Sequence, residues 1–289
     1  VSNLIVATEA ALKAMEAKLA FLKTLPFKLS GHTKIPANHK IWAQLGATPQ
    51  AAVTGPVDLS SFMPPARSQG DDESCTSFAG EEVASTLTNI AFGQSLQFSS
   101  EFIWTTERQA EGTFGQNTGC SIADDLSTLV NVGDCLLATM PDALGNYSDP
   151  IPDAAVAEAG LYKLTAPASV DYSNYDQVNA VFAAQKPILL GIDVYEALFS
   201  AVGPDGILDA PANPGQLAGG HAIVDCGYRS DGRRIWAFRS WQNFGANGFV
   251  FIDPGYAQQL VNSSLTASAP ASIPPAAAPV APPAPAPAA

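Results

Sequence analysis

The chain has 289 residues, of which 47% are hydrophobic and 14% charged, and it carries a formal net charge of −13. That length buries a full core as one large domain or two lobes. Its apolar runs, such as 187–192, are strand-sized and fall short of the roughly 18 residues a membrane span requires. With 27 acidic against 14 basic side chains, the composition argues against nucleic-acid binding, which needs clustered Lys and Arg on the phosphates.

At the start, Leu4, Thr8, Ala11, Met15, Leu19 and Leu22 recur every three or four residues, which predicts a helix over 3–22 that Pro26 ends. Glu9, Lys13, Glu16 and Lys18 interrupt this stretch, so it does not read as a signal peptide. Residues 26–55 are irregular and read as an extended strap. Residues 1–40 carry a net +4 and the remainder −17, so the two parts should attract one another. Segment 1–55 is therefore expected to be a propeptide-like restraint, an oligomerisation segment or a simple surface helix.

A body is expected over 56–266. Periodicity of 3.6 predicts helices over 75–92, 99–111, 122–132 and 176–185. Strands are predicted over 188–194, 221–228, 234–240 and 248–252. Helices first and antiparallel strands later make an α+β protein of two lobes, with a site in the cleft between them. From Ala267 the sequence becomes Ala, Pro and Ser, with eight of the 23 prolines at 270–289. This reads as a semi-rigid linker over 267–289, and the chain as one piece of a longer multidomain protein.

The strongest chemical signal lies in two segments. Residues 67–80 read R-S-Q-G-D-D-E-S-C-T-S-F-A-G, and Phe78, Ala79, Val83, Leu87 and Ile90 continue helically from Cys75. A cysteine at a helix N-terminus is favoured as thiolate by the unpaired N–H groups and the macrodipole. Residues 219–228 read G-G-H-A-I-V-D-C-G-Y, so His221 opens an apolar strand. A cysteine and a distant histidine so placed form the pattern of a nucleophilic pair. Of the other cysteines, Cys120 and Cys135 are plausible bridge partners, and Cys226 is a small buried hydrophobe. His32 and His39 belong to loops without a metal or acid–base cluster, and no cofactor motif is present.

These segments resemble the papain-like cysteine peptidases over roughly 57–252. Val57-Asp58-Leu59 is similar to the start of the family's mature domain, and Met63-Pro64-Pro65 through Gln69-Gly70 to the approach to its oxyanion glutamine. Ser74-Cys75-Thr76-Ser77-Phe78-Ala79 resembles the nucleophile segment, 219–228 the histidine strand, and Ser240-Trp241 with Gly245, Gly248 and Phe249 the Asn-Ser-Trp-Gly segment.

The resemblance implies a helical lobe followed by an antiparallel, β-barrel-like lobe. It further implies an endopeptidase working through a thioester acyl-enzyme, without cofactor, on protein or peptide substrates. Cys75 would be nucleophile, His221 its ion-pair partner and proton donor, Gln69 an oxyanion donor and Trp241 a shield over the histidine.

Two departures stand out. Arg239 falls where the family has the asparagine that orients the histidine, and a guanidinium has no acceptor. A backbone carbonyl, Gln242, Asn243 or Asp225, which lies four residues after His221 on one strand face, is then expected to orient the ring. The acidic turn Asp71-Asp72-Glu73 stands where the family often has a disulfide cysteine, and its charges should raise the thiol pKa. Arg239 and this turn leave open a second class of function, a catalytically weak papain-like module that binds or builds within a larger protein. A peptidoglycan-cleaving Cys–His hydrolase is a third reading.

Overall fold

A computed structural model describes residues 55–242 and 244–275; the calls on 1–54, including the N-terminal helix, and on Asn243 lie outside the described residues. Within them, helices dominate the first half and strands the second.

Helix α1, Cys75–Phe92, ends at Gly93, whose φ of 63° stops it in the left-handed conformation that glycine adopts without strain. Helix α2, Ser100–Glu111, begins where the Ser99 hydroxyl accepts from Phe102 N at 3.0 Å, and it places Glu101 in the first turn and Arg108 in the last. Helix α3, Ile122–Asn131, opens with a reciprocal Ser121–Asp124 capping box. These three helices pack on one another, and α1 also packs on the sheet. Helices α4, Asp153–Ala159, and α5, Tyr175–Ala183, follow, with the one-turn α6, Leu198–Ala201, and finally α7, Pro254–Leu260.

The strands are β1 Val57–Asp58, β2 Thr165–Ser169, β3 Ile188–Tyr195, β4 Ile207–Leu208, β5 Leu217–Tyr228, β6 Arg234–Ala237, β7 Phe249–Ile252 and β8 Val261–Ser268. They pair in the order β2-β8-β3-β5-β6-β7-β4, with β1 added to β5. Every pairing is antiparallel except the two-residue β4–β7 contact. The fold is thus α+β and two-lobed, as expected, with β5 central. Gly227 admits β1 there: its φ is 142°, and a Cβ on it would stand 2.0 Å from the Val57 carbonyl oxygen.

Several bounds differ from the sequence reading, among them the start of β5 at Leu217 rather than at His221. Strand β8 runs to Ser268, and the buried Ala267 belongs to the core, so the body extends past 266 and Ile273 still packs against it. The alternation in V-N-S-S-L-T-A-S is too polar at its start to read as a strand. Its partner β2 and helix α4 were likewise not anticipated. Strand β6 ends at Ala237 rather than 240, because Phe238–Trp241 turns away from the sheet.

Candidate active site

Cys75 is the first residue of α1. The preceding Ser74 makes no side-chain cap, and the helix has no acidic residue in its first turn. The first-turn N–H donors are therefore not claimed by a capping side chain, which suits an anionic sulfur at this place. His221 lies in β5, paired with Ile192 of β3, and is fully buried. Its ring stacks on Trp241 at 4.0 Å between centroids and 18° between planes, with Phe238 stacked farther out at 5.8 Å. Trp241 in turn meets Phe244 edge-on at 5.2 Å.

The segment carrying Gln69 and Cys75 is stitched to the segment beside His221. Arg67 N donates to Arg239 O at 3.2 Å and Gln69 N to Ser240 O at 2.9 Å, while Ser68 and Trp241 form an isolated antiparallel bridge. Gln69 is wholly buried. Its Nε2 donates to the Asp72 carbonyl at 2.7 Å.

The contact to His221 comes from Ser240, not from Arg239. The Arg239 guanidinium donates to the Pro64 carbonyl and lies 4.9 Å from the Phe249 ring centroid. Its charge acts on the buried Glu82 of α1, where it partly opposes the upward push of burial on that carboxyl. Ser240 presents its Oγ to His221 Nε2 at 3.5 Å, the long end of hydrogen-bond reach. Counting back from Ser-Trp placed the arginine at the asparagine position, but the bend after β6 turns the serine to the ring. The resemblance placed Ser240 in the right segment, but nothing in the sequence marked it as the partner of the histidine.

Asp225 does not orient the histidine. Four strand residues separate the two by about 13 Å along the backbone. The Asp225 carboxylate instead accepts from Arg234 Nε and a terminal nitrogen at 3.0 and 2.9 Å, from Tyr172 Oη at 2.6 Å and from Gly227 N at 3.1 Å. Gln242 is exposed, with a φ of 50°.

The three residues of the acidic turn take different places. Asp72 is buried and turned onto a neighbouring loop, Asp71 is exposed and Glu73 half-buried. None of the four cysteines is in a disulfide, so the Cys120–Cys135 pairing is not formed. Three of the thiols are held above their usual range. Cys120 is pushed up by burial and by Glu107 and Glu111, Cys135 by burial and Asp134, and Cys226 by burial and Asp225. Among the described residues no group of His, Cys, Asp and Glu is arranged to hold a metal, and no helix is long and apolar enough to cross a membrane.

No family model matches the chain. It is 25% identical over 163 residues to an uncharacterized peptidase C1-like protein of Acanthamoeba polyphaga mimivirus, a match over 51% of this chain and 50% of the relative. The chain thus spans about half the length of that relative. Among solved structures it is similar to xylellain, a cysteine protease from Xylella fastidiosa, at 26% identity and a TM-score of 0.71, over 84% of this chain and 97% of the other. A proCathepsin B from Trypanosoma congolense superposes at a TM-score of 0.67 and 15% identity, over 84% and 87% of the two chains. A Carica candamarcensis cysteine protease gives 0.59 at 20%, over 75% and 99%. By sequence and fold this chain resembles the papain-like cysteine peptidases.

Proposed function

We propose that this chain is a cysteine endopeptidase that cleaves peptide bonds through a thioester on Cys75. The observation that carries the reading is the joining of the Gln69–Cys75 segment to Ser240 and Trp241, which hold His221 between them. With Nε2 facing Ser240, Nδ1 would be the ring nitrogen that serves the thiol. The thiolate of Cys75 would add to the peptide carbonyl. The Gln69 amide and the Cys75 backbone N–H would hold the oxyanion. The His221 imidazolium would protonate the leaving amine, and water would then hydrolyse the thioester. Trp241, stacked on the ring, would keep water from the Ser240 contact.

Brief alkylation with iodoacetamide followed by mass spectrometry tests the assignment. The label should appear at Cys75 first, and His221→Ala should slow it at least about tenfold at pH 6, where an unassisted thiol is almost wholly protonated. Arg239→Asn should leave the rate within about twofold because the guanidinium faces Pro64, whereas Ser240→Ala should slow it several-fold, on the scale of one orienting hydrogen bond. Even labelling of all four cysteines, unchanged by His221→Ala, would remove the nucleophile from Cys75.

The length of the Ser240–His221 contact favours one other reading, a papain-like domain retained as a weakly catalytic module. A chain that alkylates quickly at Cys75 yet releases no product from peptide libraries would support that instead.

A further inference from the structure

Resting on the nucleophile reading above, we infer that Asp72 is a positioning residue: together with the 142–148 loop it forms a polar clasp that aims the Gln69 amide at the oxyanion. Asp72 is almost wholly buried. Its carboxylate accepts from Gly145 N at 3.2 and 3.0 Å and from Tyr147 Oη at 3.1 Å. Its backbone meets Gln69 twice, since Asp72 N donates to Gln69 O at 3.1 Å and the Asp72 carbonyl accepts Gln69 Nε2.

An amide can present either end to a neighbour, but only its nitrogen can face a carbonyl oxygen favourably. The Asp72 carbonyl thereby fixes which way Gln69 points, and the second N–H on Nε2 stays available to an oxyanion. Gln69 Oε1 has no hydrogen-bond partner, so nothing else selects this orientation.

The loop is itself anchored. Tyr147 O accepts from the buried Arg108 at 3.1 Å, and its ring meets Trp104 edge-on at 5.8 Å. At the near end of the loop, Asp142 binds Arg67. The loop therefore holds the 67–72 segment at both ends, with Gln69 between. From the far side Asn117 takes the rest of the turn, accepting from Glu73 N at 2.8 Å and donating to Asp71 O at 3.1 Å.

Two reactions of the same sulfur separate positioning from general support. Alkylation by iodoacetamide needs the thiolate and develops no oxyanion. Acylation by the p-nitrophenyl ester of an N-blocked glycine needs both: the thiolate adds to the carbonyl carbon, the C–O π pair becomes the oxyanion, and p-nitrophenolate departs with its bonding pair to leave the thioester. In the full chain, Asp72→Ala should lower kcat/KM for acylation about tenfold to a hundredfold, below the roughly hundredfold to thousandfold loss of an oxyanion donor outright. Its alkylation rate should stay within about twofold. Asp72→Asn, which keeps an acceptor for Gly145 and Tyr147, should recover most of the loss. Tyr147→Phe, which removes one donor and keeps the ring, should show the same selective effect more weakly and decides the matter if Asp72→Ala does not fold. Unchanged acylation in the folded variants, or an equal fall of both rates, would overturn the clasp. Slow, His221-independent alkylation of the wild-type Cys75 would overturn the nucleophile reading, and the clasp with it.

Discussion

In the sheet lobe the buried Asp225 meets Arg234 through two nitrogens and two further donors, Tyr172 and Gly227. In the helical lobe Asp125 is just as buried, packs its carboxyl against Gly80, and has no hydrogen-bond partner for either oxygen. Beside it Glu107 accepts from Ser77 Oγ at 3.1 Å, and Glu82 and Asp134 are also buried. Burial pushes Glu82, Glu107, Asp125 and Asp134 well above the usual carboxylate range, and neighbouring acids add to it: Glu81 at Glu82 and Asp134, Asp124 at Glu107, and Glu107 and Asp134 at Asp125. At Asp225 the same push is opposed by Arg234, Tyr172 and the Gly227 N–H. In the sheet lobe Asp225 is buried as half of an ion pair, whereas in the helical lobe, beside the paired Glu81 and Glu101, Asp125 and its neighbours are buried as acids favoured in neutral form.

The comparison breaks most visibly if the ion pair is halved. Arg234→Met leaves a buried carboxylate unpaired and should cost about 3–5 kcal/mol at neutral pH by denaturant unfolding. With the arginine gone, the native carboxyl binds its proton more tightly than the unfolded one, so part of the loss should return as pH falls. A loss that is small, or that does not depend on pH, would mean that Asp225 is neutral like Asp125 of the other lobe.

A steric test sharpens the helical side. A Cβ at Gly80 would stand 1.9 Å from Asp125 Oδ2. Gly80→Ala should therefore cost about 1–3 kcal/mol of overpacking. In Gly80→Ala/Asp125→Ala the clash is gone, and a double-mutant cycle should show coupling of comparable size. Additive effects would place the Asp125 carboxyl elsewhere.

The smallest effect is the one with pH. A carboxyl whose native pKa lies above its unfolded value contributes fully below the unfolded range, near about 4, and loses that contribution as pH rises towards the native value. Melting temperature should therefore fall between pH 5 and pH 8, and Asp125→Asn should flatten the slope while changing stability at pH 5 by no more than about 1–2 kcal/mol. A melting temperature that rises over the same window would show these acids to be ionised in the fold.

Several features were legible in the residues. Helix α1 spans the residues that the 3.6-residue period put in it, because periodicity is a local property. The β5 strand, the α+β class and the Cys–His order were readable for the same reason. Strand β8 escaped because its polar residues are tolerated by pairing with β2 and β3, which no local pattern announces.

The sequence by itself therefore determined which chemical groups are present, Cys75 at a helix start, His221 in an apolar strand and Gln69 ahead of the cysteine, and the order of the lobes that carry them. Only the tertiary structure decided which neighbours those groups acquired. Arg239 goes to Pro64 while Ser240 goes to His221, Asp225 is taken by Arg234, and Asp72 is taken by Gly145 and Tyr147. Those partners arise where segments far apart in the chain meet, and a side chain's direction there is set by the bend of its own backbone and by the burial of charge, neither of which is a local property of the residues.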